Sequence, residues 1–236
     1  MGTVITHREE IDENGCITHT PPFYNTDCII DGESQAAVYM MAGIAIPGQR
    51  MVRRMIFPKI SKFGRLFQVA GDWYDNFLYS MVGDVAYITD SLCQYRVHTG
   101  NETNESEKRL LGITEHYQLI HAFCDVADSF GYVMPQQRYE EAVKKLGSMC
   151  LRYALKMYKN KYNELAYRYL LLGPVYNRDI LEDEQYLTLL AMKDLHGEAL
   201  DVAIAEYNKK YCLERIQSYD PPKKHWKIDR NGIIIP

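Results

Sequence analysis

Ala70-Gly71-Asp72-Trp73-Tyr74, then Gly83-Asp84-Val85-Ala86-Tyr87-Ile88, then Leu92-Cys93-Gln94-Tyr95-Arg96-Val97-His98 and on to Asn101 and Thr103, is the stretch that decides how this chain reads. After Asp72, the residues Phe77, Leu78, Met81 and Val82 recur at helical spacing until Gly83 stops them, so a helix opens at the acidic residue. Val85 to Ile88 carries β-type residues and Leu92 to His98 alternates, which predicts two strands, the second at an edge or surface. The stretch therefore sets a carboxylate at a helix start with an aromatic beside it, and an arginine and a histidine on a strand end about 25 positions later.

A carboxylate in that place has two readings. It is an N-cap that accepts backbone N–H bonds, worth about 1 kcal/mol, or it is a base. The helix N-terminus depresses its pKa and keeps it ionised, as a base requires, although strong depression weakens the base.

Working outward, Val4-Ile5-Thr6 reads as a short strand, Asp12-Glu13-Asn14-Gly15 as a turn, and Thr20-Pro21-Pro22 as extended backbone. Ala42-Gly43-Ile44-Ala45-Ile46 predicts a further strand, turning at Pro47-Gly48 into a strand or short helix over Met51-Val52-Arg53-Arg54-Met55-Ile56-Phe57. From about Ser106 the pattern becomes helical. Leu110, Ile113, Tyr117, Ile120, Cys124 and Ala127 form one stripe closed by Gly131, and Ala142, Leu146, Met149, Tyr153 and Met157 form a second. More helices are expected over 164–172, 183–195 and 198–212, broken at Gly173-Pro174 and His196-Gly197. Asp220-Pro221-Pro222-Lys223-Lys224-His225 opens a proline-marked end expected as a polar tail or a surface strap. The fold class is α/β: a mixed-sheet region over 1–104, a helical region over 105–215 and a tail over 216–236.

With 236 residues, 47% hydrophobic and 25% charged, the composition is that of a globular protein with a real core. The net charge of −4, with basic residues read as scattered among a slight excess of acids, excludes a nucleic-acid partner. Six cysteines without a Cys-x-x-Cys pair read as buried free thiols in a reducing compartment. The N-terminus lacks a leader pattern, and the longest apolar runs, such as 36–45, fall short of the ~20 residues a bilayer core requires. No transmembrane segment is expected, and the expected location is the cytoplasm, including the inner face of the membrane. His116 and His121 are five apart, which does not place them on one helical face as a metal pair.

Taken in order, these pieces resemble the C-terminal half of the GT-A domain in family 2 glycosyltransferases. There an acidic motif opens a helix, a Gly-x-hydrophobic-x-Tyr-Ile strand follows, and a Tyr-Arg-x-His segment closes the domain. Upstream, Val4-Ile5 with Ile11-Asp12-Glu13-Asn14-Gly15 is similar to the strand and turn after that family's metal motif, and Met51-Val52-Arg53-Arg54 to the strand before its acidic motif. The resemblance covers about residues 3–104.

It implies a partial GT-A (Rossmann-like) mixed sheet and an inverting, metal-assisted transfer from a nucleotide-sugar donor to a sugar or glycan acceptor. Asp72 is then the catalytic base that takes the acceptor hydroxyl proton. Trp73 stacks on the acceptor ring or is a core tryptophan with its N–H satisfied. Arg96 and His98 lie near the donor diphosphate or its metal, with His98 as the candidate ligand, or else Arg96 pairs with a nearby acid and His98 is a surface residue. The implied cofactor is a divalent metal, Mn or Mg, in the complete enzyme, with none held firmly by this chain alone.

The chain departs from the family pattern in three ways. Gly71-Asp72 carries one acid where many members have two, Phe77-Leu78-Tyr79 lacks the arginine often found on that helix, and a nucleotide-binding half ending in Asp-x-Asp is missing. Asp31-Gly32-Glu33 comes too late for that motif, and Glu182-Asp183-Glu184 falls in the helical region. The expectation is an acceptor-side portion of a longer enzyme, inactive by itself. The alternative is a non-catalytic interaction module derived from a glycosyltransferase, its helical region over about 106–212 docking on a partner.

Overall fold

The computed structural model describes residues 1–44, 47–98, 100, 102–211, 217–229 and 233–235. In chain order the elements are β1 (Thr3–Ile11), β2 (Ile17–Thr18), β3 (Cys28–Ile30), α1 (Gly32–Tyr39), β4 (Arg50–Val52), α2 (Phe57–Ile60), α3 (Gly71–Ser80) and β5 (Val85–Arg96). There follow α4 (Glu102–Lys108), α5 (Leu111–Phe130), α6 (Met134–Gln137), α7 (Tyr139–Lys159), α8 (Asn163–Tyr176), α9 (Glu184–Ala191), α10 (Gly197–Tyr211), β6 (His225–Ile228) and β7 (Ile234–Ile235). The chain divides into two compact units, one of Met1–Asn101, Gln118–Tyr139 and Arg215–Pro236, the other of Glu102–Tyr117 and Glu140–Glu214.

The first unit is α/β around a seven-stranded mixed sheet in the order β2-β1-β5-β3-β6-β7, with β4 also on β1. β1 and β5 run parallel from Thr3 opposite Val85 to Ile11 opposite Arg96, with an irregularity at His7, and the other pairings are antiparallel. The two strands expected over 85–98 are thus one. Val85, Ala86 and Tyr87 are buried, while the far half of β5 is mostly exposed and pairs with the outer half of β1 as a ribbon.

Three parts of this unit differ from the sequence expectation. α1 has no amphipathic stripe because it is buried nearly all round, at Gly32, Ser34, Gln35, Ala36, Ala37 and Tyr39, so no helical period marks it. Its start is marked by Asp31, whose Oδ1 accepts the Glu33 N–H at 3.1 Å and whose Oδ2 accepts the Ser34 hydroxyl. Residues 42–44 have no regular structure, and Ala45 and Ile46 of the strand expected there lie outside the described residues.

Second, residues 118–139, expected in the helical region, pack on the sheet unit. Phe123 stacks on Phe77 at 4.0 Å, and Val133 and Met134 donate backbone N–H bonds to Glu33 Oε1 at 2.8 and 2.9 Å. Third, the expected polar tail adds strands to the sheet. His225 pairs opposite Ile30 and Lys227 opposite Cys28, and upstream Tyr219 bridges to Tyr24 while Asn25 donates to Asp220 at 2.6 Å. The short alternation His225-Trp226-Lys227-Ile228 suffices because β3 offers an open edge that must be paired.

The second unit is helical. Ile113, Leu146, Cys150, Ala154, Tyr158, Tyr169, Leu170, Leu189 and Ile204 are buried in it. Glu107, also buried, is paired with Lys156 at 2.5 Å, while the Tyr169 hydroxyl donates to the Glu107 carbonyl at 2.5 Å. α8 runs through Pro174 to Tyr176, past the break expected at Gly173-Pro174, because the proline removes a single donor near the end of the helix. Cys28 and Cys150 are buried free thiols with pKa values pushed up to about 12 by burial, which makes them inert; Cys16 is free and exposed, and Cys212 lies outside the described residues.

α1 meets the end of α3 at Gly32, where an added Cβ would stand 2.1 Å from the Ser80 carbonyl oxygen and 3.2 Å from that of Gly83. No side-chain rotation relieves a clash with backbone. Gly32→Ala is expected to cost about 3 kcal/mol, read as a lower urea midpoint at unchanged slope.

Candidate active site around Asp72

Asp72 does not cap its helix. The N-cap of α3 is Ala70, which offers no side-chain acceptor, and Asp72 sits inside the first turn with its Oδ1 accepting the Trp73 N–H at 2.7 Å. The turn is held from the strand side by Arg50. Its Nη1 donates to the Asp72 carbonyl at 3.0 Å and to Asn76 Oδ1 at 2.7 Å, and its Nη2 pairs with Asp75 at 3.2 Å. The guanidinium also lies 5.1 Å from the Tyr79 ring centroid, and the side chain is only 9% exposed. β4 places Arg50 opposite Ile5, with Met51 turned outward, so strand alternation aims it at α3.

Burial pushes the Asp72 carboxyl above its usual range. The Trp73 N–H and the Arg50 cation oppose the rise, and the Asp75 charge adds to it. The depression expected from the helix start is therefore reversed, because desolvation outweighs the N–H bond and the cation. An aspartate made more basic than usual is a better proton acceptor.

Trp73 is engaged as packing. Its Nε1–H donates to the Tyr39 carbonyl at 2.8 Å, a Cβ on Gly43 would lie 3.1 Å from its ring, and Phe123 stands 6.2 Å away at 60°. Among the described residues Arg96 has no acidic partner. Its Nη1 donates to the carbonyls of Asp12 at 2.7 Å and Glu13 at 3.2 Å, closing the turn in which Asp12 Oδ1 accepts the Asn14 and Cys16 N–H groups at 2.8 Å each. These N–H bonds, that of Cys16 foremost, hold the Asp12 carboxyl below its ordinary pKa. His98 is exposed just beyond β5. Asp72 and Trp73 are brought together with Arg50, Asp75 and Asn76. Arg96 is instead at the far end of β5, opposite Ile11, whereas Val85 at the other end lies opposite Thr3.

Comparison with protein families, curated proteins and solved structures returns no match. Among the described residues no three His, Cys, Asp or Glu side chains gather as metal ligands. His98 alone does not make a metal site. His116 is half-buried, desolvation pushing its pKa down to about 4, and His121 bonds the Tyr139 hydroxyl at 3.3 Å. Asn101 of the closing motif lies outside the described residues.

Arg50, Asp75 and Asn76 are the site residues that the sequence did not single out. The available signal was a lone arginine heading an otherwise apolar strand, Arg50-Met51-Val52, whose alternation turns it inward.

Two outcomes follow. Because the folded-state pKa of Asp72 is raised, its ionisation subtracts from stability above that pKa and has no effect below the ordinary aspartate range. Asp72→Asn keeps an acceptor for the Trp73 N–H, so it is expected to raise the thermal midpoint at pH 7, the gain vanishing below about pH 4, the ordinary aspartate range. Arg50→Met leaves a buried amide oxygen and carbonyl without their donor and is expected to cost about 3 kcal/mol in denaturant unfolding. The same change moves the Asp72 titration midpoint, followed by carboxyl NMR, further upward.

Proposed function

We propose that this chain is the acceptor-side portion of an inverting, metal-dependent nucleotide-sugar glycosyltransferase of family 2 type, with Asp72 as its catalytic base. The observation that carries the reading is the Asp72 carboxylate, partly desolvated in the first turn of α3, a turn that Arg50 holds through the Asp72 main-chain carbonyl. The mixed α/β sheet and the sequence resemblance over residues 3–104 support it. In this role Asp72 accepts the proton of the acceptor hydroxyl as that oxygen attacks the anomeric carbon. The divalent cation that the resemblance implies would be held by residues outside this sequence, where it would stabilise the departing nucleoside diphosphate.

Within this reading the other residues take the following parts. Trp73 acts by positioning Asp72, since its N–H and one face are already taken within the fold. Arg96 and His98 are assigned to the donor side as part of the same reading, Arg96 by shaping the turn at 12–13 that it closes. Donor binding is assigned to a nucleotide-binding half outside this sequence, and the chain by itself is inactive.

The test begins with the genomic sequence in frame upstream of Met1. The expected finding is a strand, glycine-rich turn and helix unit with an Asp-x-Asp motif. In the joined chain, assayed against a panel of nucleotide sugars, Asp72→Asn is expected to lower transfer by about a thousandfold, the upper middle of the range for general-base loss, while donor affinity measured by calorimetry stays unchanged. Transfer within tenfold of the parent, a loss confined to donor affinity, or a stop codon and promoter immediately upstream overturns the reading.

A further inference from the structure

From residue 34 to residue 71 the chain has no Asp or Glu and six cations, Arg50, Arg53, Arg54, Lys59, Lys62 and Arg65, within a protein of net charge −4. Basic residues that counted as scattered over the whole sequence are here concentrated in one short segment. After β4, the segment folds as the tight turns Arg54–Ile56 and Ser61–Phe63 on either side of α2.

Its inner side is anchored. Ile56 and Ile60 are buried, Phe63 packs on Phe130 at 5.4 Å, Phe67 on Tyr74 at 5.1 Å, and the Tyr74 hydroxyl donates to the Phe63 carbonyl at 2.7 Å. Its outer side is not. Arg53, Arg54, Lys59, Lys62 and Arg65 are exposed, and so are Met51 at 78%, Met55 at 71%, Phe57 at 45% and Leu66, fully. Among the described residues only Arg65 of the five has an acidic partner, Asp125 at 2.9 Å.

A single exposed leucine or lysine requires no explanation. Four cations without acids interleaved with three large apolar side chains without cover do require one, because each class seeks a different partner. A nucleic acid would neutralise the cations and leave Met51, Met55 and Leu66 in water. An anionic bilayer surface serves both, since headgroup phosphates attract the cations and the acyl boundary takes up the apolar side chains. We propose that residues 51–66 form a peripheral membrane-binding surface specific for anionic lipid. Met51, Met55 and Leu66 enter the interface while Arg53, Arg54, Lys59 and Lys62 lie at headgroup level. No helix among the described residues is long and apolar enough to cross a membrane, so attachment through this surface lies on the bilayer. The inference concerns a surface of the unit that carries Asp72 and does not depend on what Asp72 does.

Flotation of the full chain with vesicles tests it. Binding is expected to vesicles with about 30% phosphatidylglycerol and not to pure phosphatidylcholine, and to fall steeply in about 0.5 M salt. Arg53→Glu with Arg54→Glu and Lys59→Glu should lower partitioning by at least about tenfold, and Met55→Ser with Leu66→Ser by about threefold. The thermal midpoints should be unchanged because all five side chains are exposed. Should the charge variant fold poorly, Lys59→Glu alone with the salt series gives the same discrimination. Absence of binding to anionic vesicles, binding indifferent to either variant, or tighter binding to single-stranded DNA that ignores the serine pair overturns the proposal.

Discussion

One guanidinium holds the strand side of the molecule to the helix that carries Asp72. β4 has three residues and lies on the edge of β1, and α3 begins at an alanine that cannot cap it. Arg50 joins the two by reaching a carbonyl, an amide oxygen and a carboxylate at once, an arrangement that needs the planar fork of arginine and is beyond the single ammonium of lysine. Its burial strengthens these charge-assisted bonds and makes the guanidinium a fixed point beside Asp72.

Around that fixed point the protein accepts an unfavourable placement. A carboxylate raised by desolvation lowers stability at neutral pH, yet the backbone N–H of Trp73 and the Arg50 cation keep it in place. The neighbouring tryptophan spends its N–H on Tyr39, so the indole locks α3 against the end of α1.

Charge distribution adds a second theme. The chain is acidic as a whole, but residues 50–65 are purely basic and are displayed beside uncovered methionines and a leucine. The inward residues of that segment, Ile56, Ile60 and Phe63, do the packing, which frees the outward ones from any structural duty. A net charge averages this asymmetry away.

Period and punctuation in the sequence determined the long helices over 111–130 and 139–159, the α/β class, the helix opening beside Asp72 and the strand after Gly83, because amphipathic spacing and glycine stops are local properties. Those local signals left Asp72 as either a cap or a base, and its choice as the base rests on the family resemblance. The direction of its pKa was not legible, since a helix start argues for depression and only the surrounding burial reverses it. Nor were α1, which is buried all round and has no stripe, the recruitment of 118–139 and 225–228 to the sheet unit, or the inward turn of Arg50 onto Asn76 and Asp75. Those features depend on which side chains far apart in the chain exclude water from one another, and the tertiary structure alone decides that.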